Sequence, residues 1–304
     1  MNNTATNKRK IINDLVHGRL TLAGEIFAGR YPKKFLHHLV AGQLDMDRMD
    51  YLKRDSFYTG VTEGVIGSDR IIKMLNVLND QLVFEAKGVY SVEKFLIARR
   101  LMYWQVYYHK TVVAAECLLT MLLKRARQLA LSGEEIFATP SLLFFMMNEP
   151  VAGEDLMQPG SEAAKRVVSN FVNLDDDDIT SAAKVWYGHK DRILSLLSGW
   201  FTGRTLFRTE FSASVFSEAR KRKLKKEVCR TYDLPDGTAD YFVSAGEILN
   251  YAYKFEDEKI SILYNSVELA DISEASDMLN VSVLSKTVKK YFLCFPKEIE
   301  PCYF

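Results

Sequence analysis

Acidic, basic and aromatic side chains recur at helical spacing in two stretches of this chain. In Gln43-Leu44-Asp45-Met46-Asp47-Arg48-Met49-Asp50-Tyr51-Leu52-Lys53-Arg54-Asp55, the residues Asp47, Tyr51 and Asp55 stand at i, i+4 and i+8, which on a helix is one stripe. From Arg99 to Lys110, the residues Arg99, Tyr103 and Tyr107 repeat that spacing. Set face to face, the two stripes make a cleft with carboxylates on one wall and a guanidinium with aromatic rings on the other. Arginine grips phosphate in a planar fork and tyrosine stacks on a base or sugar, so the cleft suits a phosphorylated, ring-bearing ligand. Spacing alone favours core tyrosines and solvated Asp–Arg pairs over such a cleft.

Both stretches lack Pro and Gly and are rich in helix formers, so each is expected as a helix. Between them, Gly60 to Gly67 is glycine-rich but lacks the Gly-Lys-Ser/Thr of a P-loop. Ser68-Asp69 then opens an expected helix through Ile71, Ile72, Leu75 and Leu78. Leu82 to Glu85 and Gly88 to Tyr90 read as a hairpin turning at Ala86-Lys87, and Ser91 opens the next helix. Apolar residues from Val112 to Leu123 predict a buried helical continuation to about residue 147. A Pro/Gly/acidic loop from Asn148 to Ser161 divides the chain into a helical domain, 1–147, and a C-terminal region, 148–304. In that region the aspartates 175–178 lead into a helix through Ala183 and Trp186, where acidic residues favour the helix dipole without any ion. Asp191 to Trp200 and the basic run Ser217 to Arg230 are expected helices. Thr205 to Phe211, Tyr241 to Val243, Ile260 to Tyr264 and Tyr291 to Phe295 are expected strands, with a helix at Glu274 to Leu279. The class is mainly α with a C-terminal α+β region carrying a small antiparallel sheet.

With 304 residues, 48% apolar composition and a formal net charge of +1, the chain can bury a substantial core and shows no overall charge bias toward nucleic acid or membrane. No apolar run approaches the roughly 20 residues that span a bilayer, and the polar start lacks a signal-peptide core, so a cytoplasmic protein is expected. Four cysteines without C-x-x-C spacing suit reduced thiols. Arg220 to Lys226 reads as a solvated helix face, with contact to nucleic-acid phosphates as the second reading.

The Gln43–Asp55 run, continued by Ser56-Phe57-Tyr58-Thr59-Gly60-Val61, resembles a signature of the HD-superfamily phosphohydrolases, closest to their deoxynucleoside triphosphate triphosphohydrolase branch. Ala98-Arg99-Arg100-Leu101-Met102-Tyr103 through Val106-Tyr107-Tyr108-His109-Lys110 resembles the same family's second signature. The resemblance implies a partial HD-type helical core. It implies Asp47 as a retained metal ligand, Arg48 and Arg99 on substrate phosphates, Tyr51 and Asp55 at a deoxyribose, and Tyr107 against sugar or base. Tyr103 stands where relatives carry a His. It also implies a divalent metal (Mn, Fe, Zn or Mg) in intact relatives, and oligomer contacts in the region beyond the helical core.

In that family an earlier His and a His-Asp dipeptide complete the metal site. The five histidines here, at 17, 37, 38, 109 and 189, include none followed by Asp. Lys8 to Asp14 resembles the opening of full-length relatives, and Leu20 to Arg30 the segment just before the first signature, so the middle of the catalytic domain is expected to be missing. His37 and His38, adjacent on a helix, point about 100° apart and do not substitute. One carboxylate is a poor site for a metal that takes several N and O ligands. Two functions follow. One is a metal-site-deficient relative retaining part of a nucleotide cleft and an oligomerisation surface, joined to itself or to a complete paralogue. The other is an active phosphohydrolase cleaving dNTP to deoxynucleoside and triphosphate, with its missing ligands supplied by another chain. Loss of part of a helical domain exposes apolar surface and predicts association through it.

Overall fold

The computed structural model describes residues 20–148, 161–250, 259–265, 267–276 and 287–299. The Lys8–Asp14 run, most of the expected Asn148–Ser161 divide, the end of the expected helix at Leu279 and Cys302 lie outside them. The described residues fall into two compact units, one within Met1–Tyr108 and Leu249–Val288, the other within His109–Ile248 and Lys289–Phe304. Both residues flanking the expected 147/148 boundary belong to the second unit.

The first unit runs α1 (Leu20–Phe27), α2 (Lys34–Ala41), α3 (Met46–Thr59), a 3-10 turn at Thr62–Gly64, α4 (Ser68–Lys73), β1 (Leu75–Leu78) and β2 (Gln81–Glu85). A 3-10 turn at Ala86–Gly88 leads into α5 (Val89–Met102) and a π-turn at Tyr103–Tyr107. β5 (Ser261–Tyr264), β6 (Glu268–Asp271) and α12 (Ile272–Ala275) rejoin this unit from far along the chain. Its sheet has the order β1-β2-β5-β6. Because β2 pairs parallel with β5 while the outer pairs are antiparallel, this sheet is mixed.

Two local expectations fail here for one reason. The helix from Ser68 stops at Lys73, and Leu75–Leu78 pairs with Gln81–Glu85 through a turn at Asn79-Asp80, both at positive φ, 50° and 63°. A two-residue turn with both φ positive matches the twist of a hairpin, which Ala86-Lys87 does not provide. Gly88 to Tyr90 consequently belongs to a turn and the start of α5. The core forms where Leu52, Phe95, Leu96 and Met102 meet Ile71, Phe84, Ile262 and Ile272.

The second unit contains α6 (Lys110–Leu131), α7 (Pro140–Met147), α8 (Glu162–Phe171), α9 (Asp176–Trp186), α10 (Arg192–Thr202), β3 (Arg208–Ser212) and α11 (Glu218–Tyr232). A 3-10 turn at Thr238–Tyr241, β4 (Ser244–Asn250) and β7 (Val288–Phe295) follow, with strand order β3-β7-β4; the last two residues of β4 count with the first unit. The expected strand at Tyr241–Val243 is thus a turn leading into β4. The chain is mainly α with a C-terminal α+β region, as expected. Each helix from α8 to α11 starts under a side-chain cap: Ser161, Asp175, Asp191 and Ser217 accept from backbone N–H groups of their first turns. The aspartates at 175–178 form a capping box, Asp175 with Asp178, which satisfies orphan donors without a metal. No helix among the described residues is long and apolar enough to cross a membrane.

Candidate functional site

Asp45 sets the start of α3. It is almost fully buried, 2% exposed, and its carboxylate accepts from the Arg48 backbone N–H at 2.7 Å. Burial pushes its carboxyl above the usual range, against the pull of Arg48. The Arg48 guanidinium pairs with Asp45 and donates to the Gly42 carbonyl at 2.6 Å. This residue therefore locks the entry to the helix, and contact with a phosphate would have to be shared with that duty. An Asp immediately before the first helical residue is a readable cap signal, but the sequence reading began the helix at Gln43.

Beyond Arg48, α3 presents Tyr51 and Asp55 toward the end of α5. Helix α5 does not continue as an α-helix through Lys110, as expected. At Tyr103–Tyr107 it widens into a π-turn closed by the Tyr108 N–H donating to the Tyr103 carbonyl at 2.7 Å, a bond across five residues that wide turns at functional sites commonly make. The turn gathers aromatic rings: Tyr103 meets Tyr107 at 5.1 Å and Tyr108 at 5.4 Å between centroids, and Tyr107 meets Tyr51 edge-on at 5.9 Å. The Arg99 guanidinium lies 5.8 Å from the Tyr103 ring centre, within cation–π range.

One hydrogen bond ties the two walls together. Tyr107 Oη donates to Asp55 Oδ2 at 2.6 Å, while Asp55 Oδ1 sits 4.0 Å from Arg54 Nε. Burial first, then the Asp55 carboxylate, raises the Tyr107 hydroxyl pKa. The Tyr51 hydroxyl is pushed up to about 12 by burial and by Tyr103, with Arg99 and Arg48 pulling the other way. Both phenols therefore remain neutral donors at ordinary pH. Arg48, Tyr51, Asp55, Arg99, Tyr103 and Tyr107 are thus brought to one place in the first unit.

A clamp that the sequence reading passed over holds the walls at their separation. Gly64 fits so tightly that a Cβ there would lie 2.7 Å from both Met102 Sδ and Ser56 Cβ. Ser56 Oγ donates to the Val61 carbonyl at 2.7 Å, and Gln105 Nε2 donates to Glu63 Oε1 at 3.1 Å, tying the turn to both helices. A glycine in a short turn between two signature helices was the one available sign of it.

Asp47 is exposed in the first turn of α3. Among the described residues, no three His, Cys, Asp or Glu side chains converge as a metal would require. His37 Nδ1 lies 3.1 Å from the Ile26 carbonyl, and burial with the neighbouring His37 lowers the His38 pKa. In the basic run of α11, Arg220 pairs with Glu210, Lys221 with Glu218 and Lys225 with Asp240. Much of its charge is compensated.

Residues 66–147 match the family model described as the HD associated region. Among curated proteins, the uncharacterized protein YwfO of Bacillus subtilis is 29% identical over 90% of this chain and 60% of its own length. The deoxynucleoside triphosphate triphosphohydrolase SAMHD1 homolog of Dictyostelium discoideum is 26% identical over 58% of this chain and 34% of its own length. The chain therefore spans 60% or less of these two relatives. Among solved structures, a hypothetical protein from Aquifex aeolicus shares the fold at 21% identity and a TM-score of 0.56, covering 90% of this chain and 61% of that one. A phosphohydrolase from Bacteroides thetaiotaomicron superposes with a TM-score of 0.85 at 50% identity, across 95% of this chain and 70% of that one. Identity at every second position over nearly the whole chain, on a shared fold and with the HD associated region in place, leads to one family: this chain belongs to the HD-type phosphohydrolases.

Proposed function

We propose that this protein is dNTP triphosphohydrolase-like and binds a deoxynucleoside phosphate in the first unit, without by itself holding the metal that hydrolysis needs. HD-type phosphohydrolases generally use divalent metals. The described residues do not fit one, since no three His, Cys, Asp or Glu side chains among them gather to hold it. The observation that carries the reading is the Tyr107–Asp55 bond at 2.6 Å, which joins the two signature stretches around three tyrosine rings and two arginines. Arg99 and Arg48 bind phosphate oxygens, Tyr103 and Tyr107 offer ring faces, and Tyr51 closes the sugar pocket. Asp55, holding Tyr107 through one oxygen, keeps its other oxygen to accept from a sugar hydroxyl. A cytoplasmic location belongs to the same proposal.

Titration calorimetry with dGTP, in EDTA and again with Mn²⁺, tests it alongside metal analysis and an assay for released triphosphate. Binding in EDTA without turnover is the expected result. Absence of binding removes the cleft, and stoichiometric iron or manganese with turnover removes the metal deficiency. One observation favours the second reading, an enzyme completed by another chain: the Asp47 carboxylate stands open to approach from outside. Triphosphate release that appears only in a purified complex with a second polypeptide would establish it.

A further inference from the structure

Two free thiols, distant in the chain, stand together inside the second unit. Helix α6 turns Val113, Ala114, Cys117 and Leu118 inward, and β7, the middle strand of β3-β7-β4, carries Cys294 fully buried. On β3, Thr209 lies opposite Cys294 in the ladder, and its hydroxyl is 3.3 Å from Cys294 Sγ. Cys117, 8% exposed, meets Cys294 through a thiol–thiol hydrogen bond and accepts another from the Ser244 hydroxyl at the start of β4. One helix and three strands thus converge on a pair of sulfurs in contact.

Their surroundings give the two thiols different chemistry. Hydrogen bonds from Cys294 and Ser244 hold the Cys117 thiol below its usual pKa, against burial. Donation to Cys117, with burial, pushes the Cys294 thiol up. A cysteine buried among apolar groups alone is inert, whereas a thiolate supported by donors is a nucleophile, and a second thiol touching it can resolve what it forms.

We propose that Cys117 and Cys294 form a redox-active dithiol whose substrate is a small hydroperoxide, hydrogen peroxide being the simplest. The Cys117 thiolate attacks one peroxide oxygen, the O–O bond breaks, and Cys117 sulfenic acid forms while the released hydroxide takes up the proton that Cys117 gave up. The Cys294 sulfur then attacks the Cys117 sulfur, the S–O bond breaks, and hydroxide leaves as water with the Cys294 proton. Two thiols are oxidised to one disulfide between α6 and β7, and one peroxide is reduced to two waters. An external dithiol reverses the bond by exchange. No cleft residue takes part, so the inference stands apart from the nucleotide reading.

The test treats the reduced full chain, its fold checked by circular dichroism, with hydrogen peroxide near neutral pH and maps non-reduced peptides by mass spectrometry. Wild type is expected to yield a Cys117–Cys294 peptide lighter by about 2 Da than its two reduced halves and restored by dithiothreitol. Cys294→Ser is expected to stop at a Cys117 sulfenic acid that dimedone traps about tenfold faster than at Cys229, a half-exposed thiol outside the pair. Cys117→Ser is expected to leave Cys294 reduced over the same time. Absence of the Cys117–Cys294 peptide in wild type, its replacement by a disulfide to Cys229 or Cys302, or trapping at Cys117 no faster than at Cys229 each overturns the proposal. Should a serine variant fail to fold, the wild-type peptide map alone decides.

Discussion

The two units employ their polar side chains differently. In the second, hydroxyls and carboxylates cap four successive helices, and Arg125 binds Asp191 through two bonds, at 3.0 and 2.5 Å, while Asp191 also caps α10 at Leu194. In the first, α2, α4 and α5 begin without a side-chain cap, and polar groups instead gather half-buried between α3 and the π-turn. Capped ends and a partly buried ion pair make structure, whereas half-buried rings beside charges that are only partly committed make a site. The contrast is one of degree, since Asp45 and Asp271 cap α3 and α12 in the first unit and α7 in the second begins without a side-chain cap.

Substitutions separate the two roles. The largest effect is expected for Trp186→Ala, which empties a site 1% exposed and removes an indole N–H donating to the Phe137 carbonyl at 2.8 Å. About 3–5 kcal/mol should be lost in urea unfolding, with dGTP affinity of the folded fraction unchanged. Arg125→Ala should cost about 2–3 kcal/mol, less than a fully buried pair because both side chains retain 17% exposure. Again nucleotide affinity should not move. A tenfold drop in dGTP affinity from either variant would break the division of labour.

Tyr107→Phe deletes the donor to Asp55 and should cost about 1 kcal/mol or less in stability, while dGTP binding in calorimetry weakens by about tenfold. Unchanged affinity would remove the Tyr107–Asp55 bridge from the cleft. The pH responses should be smallest and opposite in direction. The Tyr51 pKa is raised on folding, so its contribution is complete below the unfolded value of 10.0 and is lost as pH climbs toward about 12. For Asp191, burial pulls upward but the Arg125 and Leu194 bonds outweigh it, leaving the carboxyl below its usual range. Its contribution is complete above the ordinary carboxylate pKa and lost as pH falls through the folded one. Thermal melts should show Tyr51→Phe flattening the alkaline limb and Asp191→Asn the acid limb. No change in either limb would separate these groups from pH-dependent stability.

Helix placement was legible wherever a period and a cap agreed, as in α9 and α11. The β1–β2 hairpin was misread because Ile71, Ile72, Leu75 and Leu78 imitate a helical stripe. Only pairing with Gln81–Glu85, and then of β2 with the distant β5, draws Leu75 and Leu78 into a sheet. For the site, the residue types and both stripes were legible, but the break in the second stripe was not. A π-turn has the same local composition as an α-turn, and ring contacts among Tyr103, Tyr107 and Tyr108 accompany the wider turn.

The order of residues by itself determined which side chains are available: two arginines, a carboxylate and three tyrosines at helical spacing. Those are properties of side-chain type and short-range period, which no packing alters. Tertiary structure decided that Tyr107 meets Asp55, that Arg48 is partly engaged by Asp45, and that Phe57 and Tyr58 are left facing water. The Asp45–Arg48 pair is a local i,i+3 contact, but the Tyr107–Asp55 bond spans 52 residues, where contact energies rather than local preference choose the neighbour.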